Sequence, residues 1–343
     1  MTGTIERVRA TPPPEIDDAT RREFLVGAAG LLLLPAACGA ESGADGESAS
    51  GGTRPFEHAA GVTDVPVRPQ RIVTTTDQNA LLPLLELGVK PVASAGLVED
   101  DGSREFRRVE EFDTSGVEFV GSYGQPNVES VAAQNPDLIV GYEYDEDYYE
   151  ELSRVAPTVL IQIFDRDLDE ALMDFADLVG RKERAGELRE SYVRRVDALL
   201  EELGDRRDEL SVSVISAGDS PGQFYRADVG QALGTVMGDL GLPRPAPQRG
   251  AGDFESFSLE TLSEHDADVV IAVDYSEEER DPNFRELVES PLYRSLAAHE
   301  AGQTYTIDGT RTVGAAWARM EAFLDELERI LLDPDLDTNL VRE

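Results

Sequence analysis

Between Lys182 and Leu203 the apolar residues Leu188, Tyr192, Val196, Leu199 and Leu203 recur at steps of four, four, three and four. That spacing lines one face of an α-helix and leaves the charged residues on the other. The segment has no proline and one glycine, Gly186, and Gly204 follows where a left-handed C-terminal cap belongs. A helix over 182–203 spans roughly 30 Å. The chain on either side has similar length and patterning, which predicts two lobes joined by one rigid helix.

Upstream, the loose alternation of Phe56 to Val65 predicts an edge hairpin turning at Gly61. The β-branched run Arg71 to Thr75 reads as a buried strand. Asn79 is placed to cap a helix over 80–87, with Pro83 in its first turns and Gly88 at its end. Val89 to Ser94 is a second strand, and residues 99–116 form a charged surface loop or polar helix. A short helix over 127–134 stops at Asn135-Pro136, and Asp137 leads into the strand Leu138 to Gly141. A helix near Glu146 to Val155 precedes the strand Thr158 to Ile163. Strands alternating with helices predict βα units around parallel sheets.

The pattern then repeats. Ser211 to Ser216 reads as a strand, and Gln231 to Leu240 as a helix closed by Gly241. Ser258-Leu259-Glu260-Thr261-Leu262 parallels Asn127-Val128-Glu129-Ser130-Val131. Asp268 leads into Val269 to Val273 as Asp137 leads into Leu138-Ile139-Val140. Both strands exit into acidic, tyrosine-containing loops. Two matches in the same order, flanking one helix, indicate a quasi-duplication.

Composition narrows the class of partner. The 343 residues are 41% hydrophobic and 29% charged, as expected of a folded protein with room for two cores. The 69 acidic residues outnumber 31 basic ones, giving a net charge of −38. Nucleic acid is therefore excluded as a partner, because phosphate binding needs clustered Lys and Arg. The acidic surface suits solubility, including in a saline habitat.

The first 53 residues read as an address. Arg21-Arg22 before the short apolar run Val26 to Ala37 predicts twin-arginine export, and the run is too short to span a membrane. Leu34-Pro35-Ala36-Ala37-Cys38 resembles a lipobox, which implies cleavage before Cys38 and a lipid on its sulfur. The expected signal peptide covers 1–37, and 38–53, rich in Gly, Ser and acid, is a flexible tether.

Catalytic chemistry is sparse. Gly218-Asp219-Ser220-Pro221-Gly222 fits a hydrolase nucleophile elbow, but Pro221 lacks the N–H that the oxyanion hole needs, so a turn is the better reading. His58, His265 and His299 are too scattered for a zinc site, and Asp333, Asp335 and Asp337 start a calcium loop that lacks its glycine and final glutamate. A hydrolase using Ser220 remains only a distant alternative.

From about Phe56 to Leu332 the chain resembles the helical-backbone (class III) periplasmic substrate-binding proteins of ABC importers, which bind ferric siderophores, haem or cobalamin. The resemblance rests on Arg54 to Gly61, Pro69-Gln70-Arg71-Ile72-Val73, Leu87-Gly88-Val89-Lys90-Pro91-Val92, Pro136 to Val140 and Ser290-Pro291-Leu292-Tyr293. Gly241 to Pro245 and Phe257 to Glu260 are similar to the iron-siderophore branch. The resemblance implies an α/β fold of two Rossmann-like lobes with parallel sheets, joined by one long backbone helix. The lobes fall at 54–181 and 205–343, with the linking helix at 182–204. It also implies an extracytoplasmic receptor, lipid-anchored to the cytoplasmic membrane, that delivers a ferric siderophore to an ABC importer permease. No enzymatic activity and no cofactor is expected. Glu129 and Glu260 match the family's permease-docking positions. Strand-end loops nominate Tyr142, Tyr144, Tyr225, Arg226 and Tyr275 for the ligand, with Arg311 and Trp317 from the last connection and helix; none is expected to bind metal directly. Few arginines stand among them, so a neutral or cationic hydroxamate complex suits the acidic body better than an anionic catecholate. Haem or cobalamin is the alternative ligand.

Overall fold

The computed structural model describes residues 52–99, 101–164, 166–226, 231–249, 255–276 and 279–341. The expected export signal, Cys38 and the tether up to residue 51 lie outside the described residues. Strands β1 (Thr53–His58) and β2 (Gly61–Pro66) form an antiparallel hairpin pairing His58 with Gly61. Ala59 and Ala60 make the turn, so Gly61 begins the second strand instead of turning.

The first sheet begins with β3 (Ile72–Thr74). Its exit coils earlier than Asn79: a π-type turn over Asp77–Leu81, capped at Thr76, runs into α1 (Leu82–Glu86). Asn79 therefore sits inside the turn and caps nothing. β4 (Ala93–Val98) starts later than Val89 because Pro91 has no N–H to give a central strand's ladder. β5 (Arg104–Glu105), β6 (Glu118–Ser122) and β7 (Gln125–Pro126) follow, then α2 (Val128–Ala133), β8 (Leu138–Tyr142), α3 (Glu146–Ser153) and β9 (Thr158–Ile161). The strand order is β7-β6-β4-β3-β8-β9, parallel from β6 to β9, with β5 added antiparallel to β4.

Helix α4 (Leu168–Val179) ends at Gly180 in the left-handed conformation, and Arg181 immediately precedes α5 (Lys182–Leu203) without a side-chain capping bond. Ala185, Tyr192, Val196, Leu199 and Leu203 of α5 are buried, each burial contributing about 2 kcal/mol for the larger side chains. Gly204 has φ 54° but ψ −129°, so the helix ends in a positive-φ turn other than the αL cap.

The second sheet is built from β10 (Val212–Ala217), β11 (Gln223–Arg226), β12 (Ser256–Ser258), β13 (Val269–Asp274) and β14 (Thr304–Asp308), in the order β12-β11-β10-β13-β14. Only β10, β13 and β14 are parallel; β11 and β12 are antiparallel additions. Helices α6 (Ala232–Leu240), α7 (Pro282–Glu289), α8 (Pro291–Arg294), α9 (Ala297–Glu300) and α10 (Trp317–Leu331) complete this part.

The duplication extends to single side chains. Asn127 Oδ1 accepts from Ser130 N (2.8 Å) at the start of α2, and Ser258 Oγ accepts from Glu260 N (3.3 Å) at the matching turn Leu259–His265. Asp137, just before β8, accepts from Gln70 N (2.7 Å) and Arg71 N (2.8 Å), ahead of neighbouring β3. Asp268, just before β13, accepts from Ser211 N (2.8 Å), ahead of neighbouring β10. In each half one carboxylate thus ties together the starts of two adjacent parallel strands.

The halves share one apolar core that runs from β8 and β9 through α4, α5 and α10 to β10 and β13. The last connection binds the first half directly: Ala315 N donates to Gln78 O (3.0 Å), and the buried Glu86 carboxylate accepts from Trp317 N (3.0 Å) and Ala318 N (2.8 Å). Glu86 thereby caps α10 from the end of α1.

Candidate functional site

The carboxyl ends of the parallel strands are where chain direction leaves open space in an α/β sheet. At the end of β8, Tyr142 and Tyr144 pack with Phe164, which follows β9. Ring centroids lie 5.6 Å apart for Tyr142 and Tyr144, 6.0 Å for Tyr142 and Phe164, and 5.1 Å for the stacked Tyr144 and Phe164. Glu143, between the tyrosines, accepts from Ile163 N (2.9 Å) and Phe164 N (2.6 Å) and so holds the third ring in place. Beneath this cluster Asp145 is fully buried, accepting from Thr75 Oγ1 (2.5 Å) and Tyr142 N (3.2 Å); burial pushes its carboxyl up to about 6. Burial, with Asp145 adding to it, pushes the Tyr142 phenol up to about 12.

Across from this cluster, a cavity of about 350 Å³ opens at the carboxyl end of β10, bordered by Tyr225 and Arg226 of β11, Tyr275 after β13, Gln231 and Val313. A second cavity of about 190 Å³ shares Gln231 and Val313 and is bordered from the first half by Gln78, Asn79, Ile163 and Phe164. A third, of about 340 Å³, shares Ala217, Asp219, Val273 and Tyr275 with the first. The three cavities adjoin through shared residues and form one cleft at the second sheet's carboxyl edge, which the second cavity extends to the first half. Its walls combine apolar and aromatic side chains with a few polar groups, among them Gln231, Asp219, Asp281 and Arg226, the composition of a small-molecule site.

Two features shape the second wall. Tyr225 Oη donates to Asp219 (2.7 Å), which fixes the ring across the β10–β11 turn. At Gly309 a Cβ would meet Val273 Cγ1 at 2.5 Å and the Tyr275 ring at 2.6 Å, so the glycine lets Tyr275 lie against the last connection.

The structure brings Tyr225, Arg226 and Tyr275 to the cleft and sets Tyr142 and Tyr144 against it through Phe164. Tyr225 and Arg226 stand on strand β11, not in a loop, because Gly218 to Gly222 turns the chain back onto β10: Gly218 N donates to Gln223 O (3.0 Å). Ser220 is exposed in that turn. Trp317 does not reach the cleft. It is 1% exposed, packed in the common core, with its indole N–H donating to Asp169 (2.9 Å). Arg311 also points elsewhere, its guanidinium 3.8 Å from Asp325 on α10. Glu129 and Glu260 are exposed, each second after its cap residue. Gln78, Phe164, Asp219 and Gln231 border the cleft without having been singled out. Phe164 carried the same signal as Tyr142, an aromatic just past a strand; the polar three had none.

Among the described residues no group of three or more His, Cys, Asp or Glu is placed to hold a metal ion.

Comparison with known proteins adds a family. The family described as periplasmic binding protein matches residues 72–310. The probable siderophore-binding lipoprotein YfiY of Bacillus subtilis is 28% identical over 315 residues, covering 88% of this chain and 95% of the relative. The putative ABC transporter substrate-binding lipoprotein YhfQ, also of Bacillus subtilis, is 25% identical and covers 87% of this chain and 94% of its own. Among solved structures, Staphylococcus aureus SirA complexed with staphyloferrin B superposes with a TM-score of 0.69 at 23% identity, covering 81% of this chain and 98% of that one.

Proposed function

The chain belongs to the periplasmic binding protein family, and from that membership we propose that it is the substrate-binding component of an ABC importer, capturing a ferric siderophore in the cleft between its sheets. The observation that carries this reading is the cleft itself. Phe164 from the first half and Tyr225 and Tyr275 from the second border adjoining cavities at the strands' carboxyl ends, a place where an iron chelate's organic shell packs against apolar and aromatic surface. The names of the relatives YfiY and YhfQ support the same class of ligand and the same transport machinery.

Tyr142, Tyr144, Phe164, Tyr225, Arg226 and Tyr275 are the proposed ligand wall. The iron arrives inside its chelate, its six ligands already supplied. Glu129 and Glu260 are the proposed contacts to arginines of the permease, one on each half. Export through the twin-arginine signal and a lipid on Cys38 would hold the body at the outer face of the cytoplasmic membrane. The protein acts by binding and release, without catalysis.

Titration of the purified protein with ferric siderophores, followed by intrinsic fluorescence and by thermal shift, tests the reading. A saturable quench and a concentration-dependent rise in melting temperature are expected. A flat response to hydroxamate, catecholate and carboxylate chelates alike would reject it. A Soret band retained on haem, or a corrin band on cobalamin, would assign the cleft to those ligands instead.

A further inference from the structure

Hydrogen bonding decides what charge the cleft accepts, and the arginine that borders the described cavities, Arg226, is already committed, as is Arg107, which pairs with Asp77 beside Gln78 of the second cavity. Arg226 has its side chain 8% exposed, donates from Nη1 to Pro247 O (2.5 Å), lies 3.7 Å from Glu255 and sits over the Phe257 ring. Arg107 grips the buried Asp77 with two donors, at 2.9 and 2.7 Å, and covers the Tyr123 ring at 3.9 Å. The chain's two lysines are engaged far from the cleft, Lys90 with Asp113 (2.8 Å) and Lys182 with Asp177 (2.5 Å). Among the described residues bordering the three cavities, Arg226 is the single cation, against the carboxylates of Asp219 and Asp281.

We infer that the cleft selects ferric chelates that carry no net negative charge, which assigns the ligand to the hydroxamate class. The step rests on the ferric-siderophore reading above. Ferric iron takes three bidentate oxygen ligands; three singly charged hydroxamates neutralise it, and a pendant ammonium makes the complex cationic. Three doubly charged catecholates leave it triply negative, and citrate-type carboxylates also leave it negative. An anionic complex entering this cleft would lose water and meet a committed guanidinium and two carboxylates, with no uncommitted cation among the described residues that border it to replace its hydration. Opposed charge close by matters more than the remote surface charge, which salt screens beyond roughly 8 Å. Neutral hydroxamate carbonyls and amide groups, by contrast, lose little hydration on entering, and Gln231 borders the first two cavities as a neutral hydrogen-bonding group.

The test measures dissociation constants of the purified chain, at low and physiological salt, for four ferric complexes: a neutral tris-hydroxamate, a tris-hydroxamate with a pendant ammonium, a tris-catecholate and citrate. The hydroxamates are expected to bind at least ~10-fold more tightly than either anion, a gap that narrows as salt rises. The variant Asp219→Arg, an exposed position, is expected to keep its melting temperature and to bring the catecholate about tenfold closer. A catecholate or citrate that binds as well as the hydroxamates overturns the charge selection and leaves the siderophore reading standing. Failure of all four to bind overturns both. A hydroxamate preference that Asp219→Arg leaves untouched, in a folded variant, overturns the local electrostatic cause.

Discussion

His265 stands between two rings, 4.8 Å from Phe224 and 4.6 Å from Phe257, with Nε2 buried and unpartnered. Burial, reinforced by the Arg226 charge, lowers its pKa from 6.5 to about 4. Between those values the unfolded imidazole takes a proton that the folded one refuses. The contribution to stability is therefore complete above pH 6.5 and is lost as pH falls toward 4, up to about 3 kcal/mol in all. His265→Phe should flatten the dependence of unfolding free energy on pH across that window, measured by urea denaturation; an unchanged slope would exclude His265 as its source. Glu143 gives a second test on the same scale, because its carboxylate holds two backbone N–H groups that position Phe164. Glu143→Ala leaves both donors without that acceptor, at a cost of about 1–3 kcal/mol, and loosens one aromatic wall. Ligand affinity should fall several-fold, with Glu143→Gln intermediate. Equal affinity in Glu143→Ala would mean that Phe164 is held by other contacts.

Among the elements, the last connection is the one on which the cleft most depends. Gly314 has φ 105°, and a Cβ there would meet Leu82 Cδ2 at 2.7 Å and Gln78 O at 3.0 Å. Gly314→Ala should therefore destabilise the fold by about 1–3 kcal/mol and lower its melting temperature, since strain and collision act together. A variant melting at the parental temperature would show that the connection has slack. This segment also marks the limit of what patterning reveals. Helix α5 was legible because its buried face is set by local spacing, and α2, β8 and β13 because each carries a cap or a β-branched run. The strands β6, β11 and β12 were not, since they are short and owe their existence to pairing with neighbouring strands and not to a pattern of their own. Asn79 looked like a cap because Asn favours that position, but the buried pair between Asp77 and Arg107 sits at the actual start of the turn. The aromatic side chains at the cleft, Tyr225 and Tyr275, were readable from strand ends. Trp317 was misplaced because the sequence does not show that Asp169, on another helix, satisfies its indole.

Taken whole, the two halves joined by α5 are fastened at more than one place: α4, α5, α6 and α10 bring both halves into a common core, and Glu86 fastens α10 to the first half. Opening the cleft widely would expose that core, so only a small movement of the halves is expected. The spacing of features on the two rims is then nearly constant. Glu129 and Glu260 lie in the first turns of the helical segments that precede β8 and β13, exposed and equivalent under the internal repeat. A fixed pair of carboxylates is a geometry that a partner with two arginine clusters recognises at both ends simultaneously, so the contributions multiply. Glu129→Lys and Glu260→Lys should each leave melting temperature and ligand affinity within the range of ordinary surface changes, about 0.5 kcal/mol. Each should weaken stimulation of the permease's ATPase in proteoliposomes, and the double variant should weaken it more than either alone. Full stimulation by the double variant, with ligand still bound, would remove these glutamates from the docking surface.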